Sequence, residues 1–350
     1  MTANNKLHYF IVHPAAREAI NNIIIRKGVA VLLILPFFTQ AQNQDSLAQK
    51  ASQFAANKFA ERRPFSIDFK QFGNYNFSPG IRNQQYLQGG EITNWSILTV
   101  SANINLLQRS HWLLQANGFY RFVSANDRSS KQPANRQGYI RGDYYYHTDG
   151  LTISYFSKLF GKNAVYTAGI FVDGSDRSFE RVRGQATGSI VLKANDKTKM
   201  SIGLMANADP GSMIPLLPIF VYEHKFNDKL MTDMMFPRYS FLRRRLFNYG
   251  RLSAGWELDQ QTTFFLYNPD GTSRTYQFRQ IDANIGLLYE HLLPGSFIFA
   301  VRAGYRVNPF VRVFEKNRSF NDYTWDASTD PAPYFNVGLS FNPFVKRKSK

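Results

Sequence analysis

A long run of alternating side chains, residues 91–107, constrains the fold of this chain more than any other segment. From Leu98 to Leu106, apolar side chains occupy every second position, and small uncharged residues such as Thr99 and Ser101 lie between them. Successive side chains of a β-strand point to opposite faces, so the pattern predicts a strand with one apolar and one polar face. The run is much longer than the roughly 5–6 residues of a typical strand.

The same alternation recurs along the chain between short segments rich in Gly, Pro, Asn and Asp, which are typical of turns. A strand that crosses the hydrocarbon layer of a membrane needs about 9–11 tilted residues. A series of long two-faced strands therefore predicts a membrane-spanning barrel. A soluble β-sandwich or a lipocalin-like barrel is the alternative. The number of strands and the aromatic residues at strand ends favour the membrane barrel.

Periodicity and turn signals predict an all-β, antiparallel, up-and-down transmembrane β-barrel of about fourteen strands after a short N-terminal helix. The predicted strands are 65–76, 85–107, 111–125, 138–147, 151–159, 163–172, 181–193, 199–207, 216–226, 230–245, 250–267, 273–291, 296–314 and 333–344. A turn is predicted at Thr148-Asp149-Gly150. If 151–159 and 163–172 form one excursion that does not span, the count falls to twelve.

An even number of strands places both ends of the barrel on one side of the membrane. The predicted long loops, 77–84, 126–137 and 315–331, and the Asn268 turn then lie together on the other side. Short turns on the inner side and long loops on the outer side are the asymmetry expected of such barrels.

The first 41 residues have the features of a secretory signal peptide. Arg26 and Lys27 precede an apolar stretch, residues 28–38, and a small-x-small cleavage site ends at Ala41. The stretch is too short to span a membrane as a helix, and a buried core helix is the alternative. Residues 1–24 are longer than a basic leader requires, which is consistent with a start codon assigned too early.

Residues 42–64 differ in pattern from the rest of the chain. Their apolar side chains recur at helical spacing, and Pro64 ends the pattern. We expect an amphipathic helix that either plugs the lumen or lies in the periplasm, and a frayed N-terminal extension is the other interpretation. Residues 345–350 form a basic tail at the opposite end of the chain.

The composition limits the classes of partner. The chain has no cysteine, which excludes disulfides and thiolate metal sites. Its formal charge is +17, with 42 Lys and Arg against 25 Asp and Glu. Such a charge is compatible with nucleic-acid binding. An exported chain instead meets anionic membrane surfaces and anionic solutes, so we expect no nucleic-acid partner.

With its leader, its strand meander and an aromatic last strand containing Tyr334, Phe335, Phe341 and Phe344, the chain resembles Gram-negative outer-membrane β-barrel proteins. Among these it is similar to porin-like barrel domains of unknown function. The resemblance covers residues 65–344 and brings no catalytic motif. It implies a place in the outer membrane, contact with lipid and lipopolysaccharide, and insertion by the barrel-assembly machinery. The chain departs from the pattern because residues 345–350 follow the terminal aromatic residue.

Charged side chains on the polar faces of the strands are the candidates for a selectivity filter, because rings of charge set selectivity in pores. The candidates are Arg181, Arg183, Arg251, Glu257, Asp282, Glu290, Arg302 and Arg306. The two acidic residues of strand 273–291 can pair with the two arginines of strand 296–314 across the inner wall. The same residues can instead lock a filled lumen.

The densest charge cluster is Arg243-Arg244-Arg245. Arginine facing lipid costs roughly 2–4 kcal/mol at mid-membrane and about 0–1 kcal/mol near the interface. We therefore expect the cluster at a membrane edge. There it would form either an anion-attracting pore mouth or a solvated rim that binds lipid phosphates.

No sequence motif indicates a metal, a cofactor or an enzyme. The histidines after the leader, His111, His147, His224 and His291, lack metal-ligand spacing. The chain contains no Gly-x-Ser-x-Gly, P-loop or Gly-x-Gly-x-x-Gly motif.

We therefore expect a barrel that passively conducts small polar or anionic solutes. The second hypothesis is a non-conducting structural or surface barrel, because residues 44–62 and loop 126–137 can fill the lumen. The third is a barrel enzyme that acts on lipids or peptides. That hypothesis requires Ser/His or Asp/His groups that meet in the fold.

Overall fold

The computed structural model describes residues 47–82, 89–129, 141–269, 271 and 273–345. The predicted leader and most of the tail lie outside these residues, as do parts of the predicted loops 77–84 and 126–137. The described chain begins with helix α1 (Leu47–Lys58) and a 3-10 turn at Ala60–Arg62. None of the described helices has the length and apolar character needed to span a membrane.

Sixteen β-strands in the described residues form one antiparallel sheet. They are β1 (Phe65–Phe72), β2 (Tyr75–Ile81), β3 (Gly90–Gln108), β4 (Trp112–Ser129), β5 (Gly142–Leu159), β6 (Lys162–Gly174), β7 (Phe179–Ala194), β8 (Thr198–Ala208), β9 (Leu216–Lys225), β10 (Leu230–Phe236), β11 (Tyr239–Leu246), β12 (Gly250–Tyr267), β13 (Thr275–Leu292), β14 (Phe297–Glu315), β15 (Trp325–Thr329) and β16 (Ala332–Phe341).

The sheet closes on itself because β1 pairs with both β3 and β16. β2 continues β1 along the edge of β3, and β15 and β16 follow one another along β14. Each of these two pairs therefore fills one position in the wall. The described chain forms a closed antiparallel barrel of fourteen strands, which confirms the predicted fold class and excludes the count of twelve.

The predicted count is right although two predicted strand boundaries are wrong. β5 is one continuous strand, and its ladder to β4 passes through the supposed turn at residues 148–150 without a break. Gly150 serves close packing here, because a Cβ atom at this position would lie 2.3 Å from the Phe171 ring. Conversely, predicted strand 230–245 is two strands, β10 and β11. Pro237 between them has no N–H to continue a ladder.

Several strands also run further than predicted at the end of the barrel away from the chain termini, called the loop end below. β2, β4 and β15 each cover residues that the sequence pattern assigns to the predicted loops 77–84, 126–137 and 315–331. The extension of β4, residues 126–129, is entirely polar, and that of β2 contains Pro79 and Gly80, which are typical of turns, so neither has the pattern of a strand. The opposite end, where Pro64 and Asn342 lie, is called the terminal end.

The two faces of the wall have the polarity expected against lipid. On β5, the outward Leu151 and Ile153 are 48% and 43% exposed, whereas the inward Thr152 and Ser154 are buried. Polar residues inside and apolar residues outside are typical of a membrane barrel, and a soluble β-sandwich has the reverse arrangement.

The wall is uneven in height. β3, β4, β5, β12, β13 and β14 have 18 or 19 residues, but β10 has 7 and β11 has 8. Seven residues at about 3.3 Å each, tilted by about 40°, rise only about 18 Å. The apolar band of such barrels is about 25 Å tall. Among the described residues no strand continues the wall above the turn at Pro237 and Arg238, and this interruption between β9 and β12 is called the side gap.

The β12–β13 hairpin leans into the lumen where it loses its neighbour. The β11 ladder ends at Glu257 of β12, and a register shift follows between Asp259 and Thr262. Beyond it both faces of β12 are buried, including Thr263 on one face and Phe264 on the other. The main apolar core of the molecule therefore lies inside the loop end of the barrel.

Candidate functional site

Helix α1 lies across the mouth of the lumen at the terminal end. Near its start, Ala48 packs against Leu113 of β4 and Phe156 of β5. At its end, the Lys58 ammonium lies 2.7 Å from the Glu223 carboxylate of β9 and also binds Asp233 of β10. The helix thus connects walls on different sides of the barrel. It is called the plug, together with the following turn and Arg63.

A second anchor follows the helix. Arg63, which is 1% exposed, donates to Oε1 of Glu290 at 2.8 Å and to Oγ of Ser340 at 2.6 Å. Glu290 also accepts from Nε of Arg251 at 2.9 Å. In addition, Glu61 of the plug pairs with Arg238 at the tip of the β10–β11 hairpin. Charge-assisted hydrogen bonds, rather than a large apolar surface, therefore hold the plug.

An aromatic layer fills the loop end. The Phe264 ring of β12 stacks on Tyr144 of β5 with centroids 4.0 Å apart and on Phe278 of β13 at 4.3 Å. Phe278 lies 6.1 Å from Trp95 of β3. β5 and β12 are seven positions apart in the wall of fourteen, which places them on opposite sides of the barrel. The layer therefore crosses the lumen.

The other face of the inserted hairpin is held by polar contacts. Arg181 of β7 donates to Asp173 at 2.8 Å, to Asp209 at 2.9 Å and to Gln277 of β13 at 2.9 Å. Arg279 of β13 reaches the same Asp209 at 3.2 Å. Both faces of the β12–β13 hairpin are thus packed, and the axis of the barrel is closed at this end within the part of the chain that the structure describes.

A cavity of about 600 Å³ remains between the plug and the inserted hairpin. Its charged lining comprises nine Lys and Arg residues and six Asp and Glu residues, so the lining has a cationic excess. Asp259 neutralises two of the cations, Lys70 at 3.0 Å and Arg121 at 3.2 Å.

One arginine in this lining has no acidic partner. Among the described residues, no carboxylate forms an ion pair with Arg62, whose side chain is accessible from the cavity. The pKa of Arg62 is lowered by burial and by the nearby charge of Arg183. Arg183 itself donates to both oxygens of Asp173, at 3.0 and 3.1 Å. The guanidinium of Arg62 is therefore free to bind an anion.

The eight residues proposed for a selectivity filter all lie on the inner side of the wall, but their partners differ from those expected. Arg302 pairs with Glu257 of β12, and the expected pairs between β13 and β14 do not form. Plug residue Arg63 and Arg251 instead surround Glu290. A single-strand pattern shows which face a side chain takes, but it does not show that a distant segment competes for the carboxylate.

Two more of the proposed residues lie beside the aromatic layer. Arg306 is fully buried and packs against the rings of Phe72 and Tyr75, with centroids 4.5 and 4.1 Å away. The carboxylate of Asp282 accepts from Gln280 at 2.7 Å. These two residues support the closed end rather than line the cavity.

The Arg243–Arg245 cluster is divided between two environments. Arg243 is 3% exposed and points into the lumen, where it donates to Asp233 at 2.8 Å and to Ser253 at 3.1 Å. It therefore does not lie at the rim, contrary to expectation. Arg244 and Arg245 are exposed near the end of β11. Only Arg243 lies deep enough on the strand to reach Asp233.

Sequence reasoning did not identify Lys58, Arg63, Glu223 and Asp233, which hold the plug, or Arg62, whose guanidinium is free. A partial signal was present, because three cations follow closely at the end of the predicted helix. The acidic residues that bind Lys58 and Arg63 lie on strands more than 150 residues away in the chain. Their pairing could not be inferred from spacing.

The histidines lie apart, each beside a local partner. Nδ1 of His147 lies 3.1 Å from Asp149, and Nδ1 of His111 lies 3.0 Å from Ser110. His224 contacts Thr198, and His291 contacts Tyr289. The described residues contain no group of three or more His, Cys, Asp or Glu that could hold a metal ion.

Comparison with solved structures finds other barrels at low sequence identity. A FadL homologue from Pseudomonas aeruginosa is 9% identical with a TM-score of 0.38, over 83% of this chain and 94% of that one. An outer membrane channel from Pseudomonas putida F1 is 10% identical with a TM-score of 0.35, over 78% and 93%. OpdQ of Pseudomonas aeruginosa is 11% identical with a TM-score of 0.26, over 79% and 97%.

Comparison with curated protein sequences finds no match. A family profile does match, and it covers residues 147–342, from the middle of β5 to the end of the barrel. This is more than half of the chain. The chain therefore belongs to the family of the domain of unknown function DUF6268.

Proposed function

We propose that this protein is an outer-membrane transport barrel that is closed at rest and that passes anionic solutes when the plug is displaced. The observation that carries the proposal is the way the plug is held. Lys58 and Arg63 bind carboxylates of the wall, whereas the buried apolar contacts of α1 centre on three residues. An ion-pair anchor of this kind can exchange its partners for a solute, which an apolar core cannot do.

The preference for anions is supported by the lining. Nine cationic and six acidic residues surround the cavity, and Arg62 has a free guanidinium. Rings of charged side chains select ions of opposite sign in pores. Small polar solutes without charge are compatible with the same route, but the lining offers them no comparable attraction.

The outer-membrane location and the absence of catalysis are parts of this proposal. The apolar outer face supports contact with lipid and lipopolysaccharide, and assembly would use the barrel-assembly machinery. Fractionation of cells on a density gradient tests the location. Recovery with the inner membrane or the soluble fraction would contradict it.

Conductance in a planar bilayer tests the transport function. We compare the leader-free chain with a variant lacking residues 42–63, and we expect few openings from the first and steady, anion-selective channels from the second. Slower gel migration after heating shows that each preparation was folded. A folded deletion variant that never conducts would contradict the proposal.

A locked plug provides the matched control. The chain has no cysteine, so Asn57→Cys and Asn342→Cys, whose side chains are hydrogen-bonded at 3.0 Å, introduce one defined pair. Joining the pair with a short bifunctional thiol reagent should abolish the openings of the full chain. Each single-cysteine variant treated in the same way should behave as the unmodified chain.

A non-conducting structural barrel is the second candidate, and the aromatic layer favours it. Phe264 and Phe278 close the axis of the lumen at the loop end whatever the plug does. Passage therefore requires another opening from the cavity. If the deletion variant is folded and silent, this second candidate becomes the better description.

A further inference from the structure

We propose that the cavity binds an anionic amphiphile, a long-chain carboxylate, which enters from the membrane through the side gap. Its chain would lie along the inner faces of β8, β9 and β10, and its head group would bind Arg62. This inference rests on the proposed function, because the ligand would be the transported solute.

The side gap connects the cavity with the outer surface. Phe236 at the tip of the β10–β11 hairpin is 53% exposed, and Ile214 in the β8–β9 connection is 39% exposed. Both residues also line the cavity. The hairpin tip is apolar on its outer side, while Arg238 turns inward to Glu61. An opening with these borders, at about 18 Å above the terminal end, lies within the apolar band of a membrane.

The inner wall beside the side gap breaks the polarity rule of this barrel. The side chains of β3 that line the cavity are polar, namely Thr99, Ser101 and Asn103. On β9, in contrast, the inward-facing Leu217 and Ile219 line the cavity, and their glutamate neighbour Glu223 lies closer to the plug. Apolar side chains that face a cavity rather than a core indicate an apolar ligand.

Methionines extend this apolar wall. Met205 on β8, Met213 in the connection and Met235 on β10 line the cavity, and they are three of the seven methionines in the chain. Methionine side chains are flexible and polarisable, and they adapt to ligands of varied shape. A flexible alkyl chain is the partner that such a surface suits best.

The head-group end is set by charge complementarity. Arg62 lines the same cavity and lacks a carboxylate partner among the described residues, whereas the nearby Arg183 is paired with Asp173. Arginine binds carboxylates with two parallel hydrogen bonds. The cavity volume of about 600 Å³ is within the range of roughly 300–1,000 Å³ of small-molecule sites.

Photolabelling tests the site directly. The full chain is placed in lipid vesicles with a hexadecanoate probe that carries a diazirine in its chain, and the labelled peptides are identified by mass spectrometry. We expect label on segments 203–219 and 233–237, with competition by hexadecanoate and little competition by hexadecylammonium. Label confined to the lipid-facing side of β5, or equal competition by the cation, would overturn the proposal.

Variants separate the head-group and chain sites. Arg62→Gln should weaken hexadecanoate competition at least about tenfold, the loss expected for a charge-assisted hydrogen bond. Arg244→Gln, at an exposed arginine outside the cavity, is the matched control and should change nothing. Ile219→Asn should reduce labelling of segment 203–219 without affecting folding, as judged by heat-dependent gel migration. Unchanged hexadecanoate competition in Arg62→Gln, or unchanged labelling of segment 203–219 in Ile219→Asn, would overturn the proposal.

This binding assay does not depend on conductance. Saturable labelling in a protein whose plug deletion is silent would retain the ligand site and contradict transport. Conductance without saturable labelling would retain the channel and contradict the amphiphile. The two proposals can therefore fail separately.

Discussion

The anchor between Lys58 and the wall gives the sharpest quantitative prediction. Lys58→Met keeps the length of the side chain but removes one charge, and with it the contacts to Glu223 at 2.7 Å and to Asp233. Neither carboxylate is left alone, because Arg243 still donates to Asp233 at 2.8 Å and Lys199 lies 3.3 Å from Glu223. The loss is therefore that of two charge-assisted hydrogen bonds, without an isolated buried charge.

The magnitude follows from these contacts. Charge-assisted hydrogen bonds contribute roughly 1.5–3 kcal/mol each, and the lower value is appropriate because both carboxylates keep another cation. The free energy that holds the plug in place should fall by about 3 kcal/mol. Since about 1.4 kcal/mol corresponds to a factor of ten, the fraction of displaced plugs should rise roughly a hundredfold.

Thiol labelling measures this fraction. Ala56 is buried in the plug, and the chain has no other cysteine, so Ala56→Cys reports only on plug displacement. When the plug opens and closes faster than the reagent reacts, the labelling rate is proportional to the open fraction. We expect Lys58→Met to raise the rate roughly a hundredfold, by the arithmetic of the anchor.

Two controls make the result interpretable. Lys229→Met removes an exposed lysine at the same end of the barrel and should leave the rate unchanged. Ala125 is buried in the apolar core at the loop end. Ala125→Cys should therefore stay unlabelled in the Lys58→Met background, which would show that the barrel is intact. If Ala56→Cys is labelled at the same rate with and without Lys58→Met, the ion pairs of Lys58 do not hold the plug and the reasoning is refuted.

Three further predictions concern the wall and the closed end. Phe264→Ala should lower the free energy of unfolding by about 3–5 kcal/mol, because it leaves a cavity in the middle of the aromatic layer. Thermal unfolding measures this loss. The loss should be smaller for Phe297→Ala, because Phe297 is half-exposed on the outer face. Asp259→Asn should destabilise the barrel by roughly 3–5 kcal/mol, because it leaves the buried charges of Lys70 and Arg121 without their shared carboxylate. Urea unfolding measures this loss, with Asp228→Asn as the exposed control. An unchanged unfolding midpoint would contradict the assigned pairing. Gly150→Ala should lower the free energy of unfolding by about 1–3 kcal/mol, because its Cβ would lie 2.3 Å from the Phe171 ring. Gly118→Ala should be tolerated, because the nearest atom to its Cβ would be 3.7 Å away. Equal stability of the two variants would favour a turn at residue 150 over the continuous strand.

Much of the barrel could be predicted because the side chains of a strand alternate between its two faces, so polar and apolar residues alternate along the sequence. β3 and β14 have recognisable alternation over most of their length, and Arg302 and Arg306 of β14 lie on the inner face. The strand boundaries near Gly150 and Pro237 were wrong because the same residue type can serve a turn or close packing within a strand. Gly150 favours a turn in isolation but serves close packing on Phe171, and Pro237 interrupts an otherwise continuous pattern.

The alternation of side chains along each strand was sufficient to predict the fold class and the inner and outer faces, since these depend on local backbone geometry alone. The state of the lumen depended on contacts between residues far apart in the chain, such as Tyr144 with Phe264 and Arg63 with Glu290. Periodicity distinguishes an inward side chain from an outward one, but it carries no information about what that side chain meets across the barrel. The positions of the plug, the inserted hairpin and the side gap therefore depend on the tertiary structure, because the closed sheet alone brings these distant residues into contact.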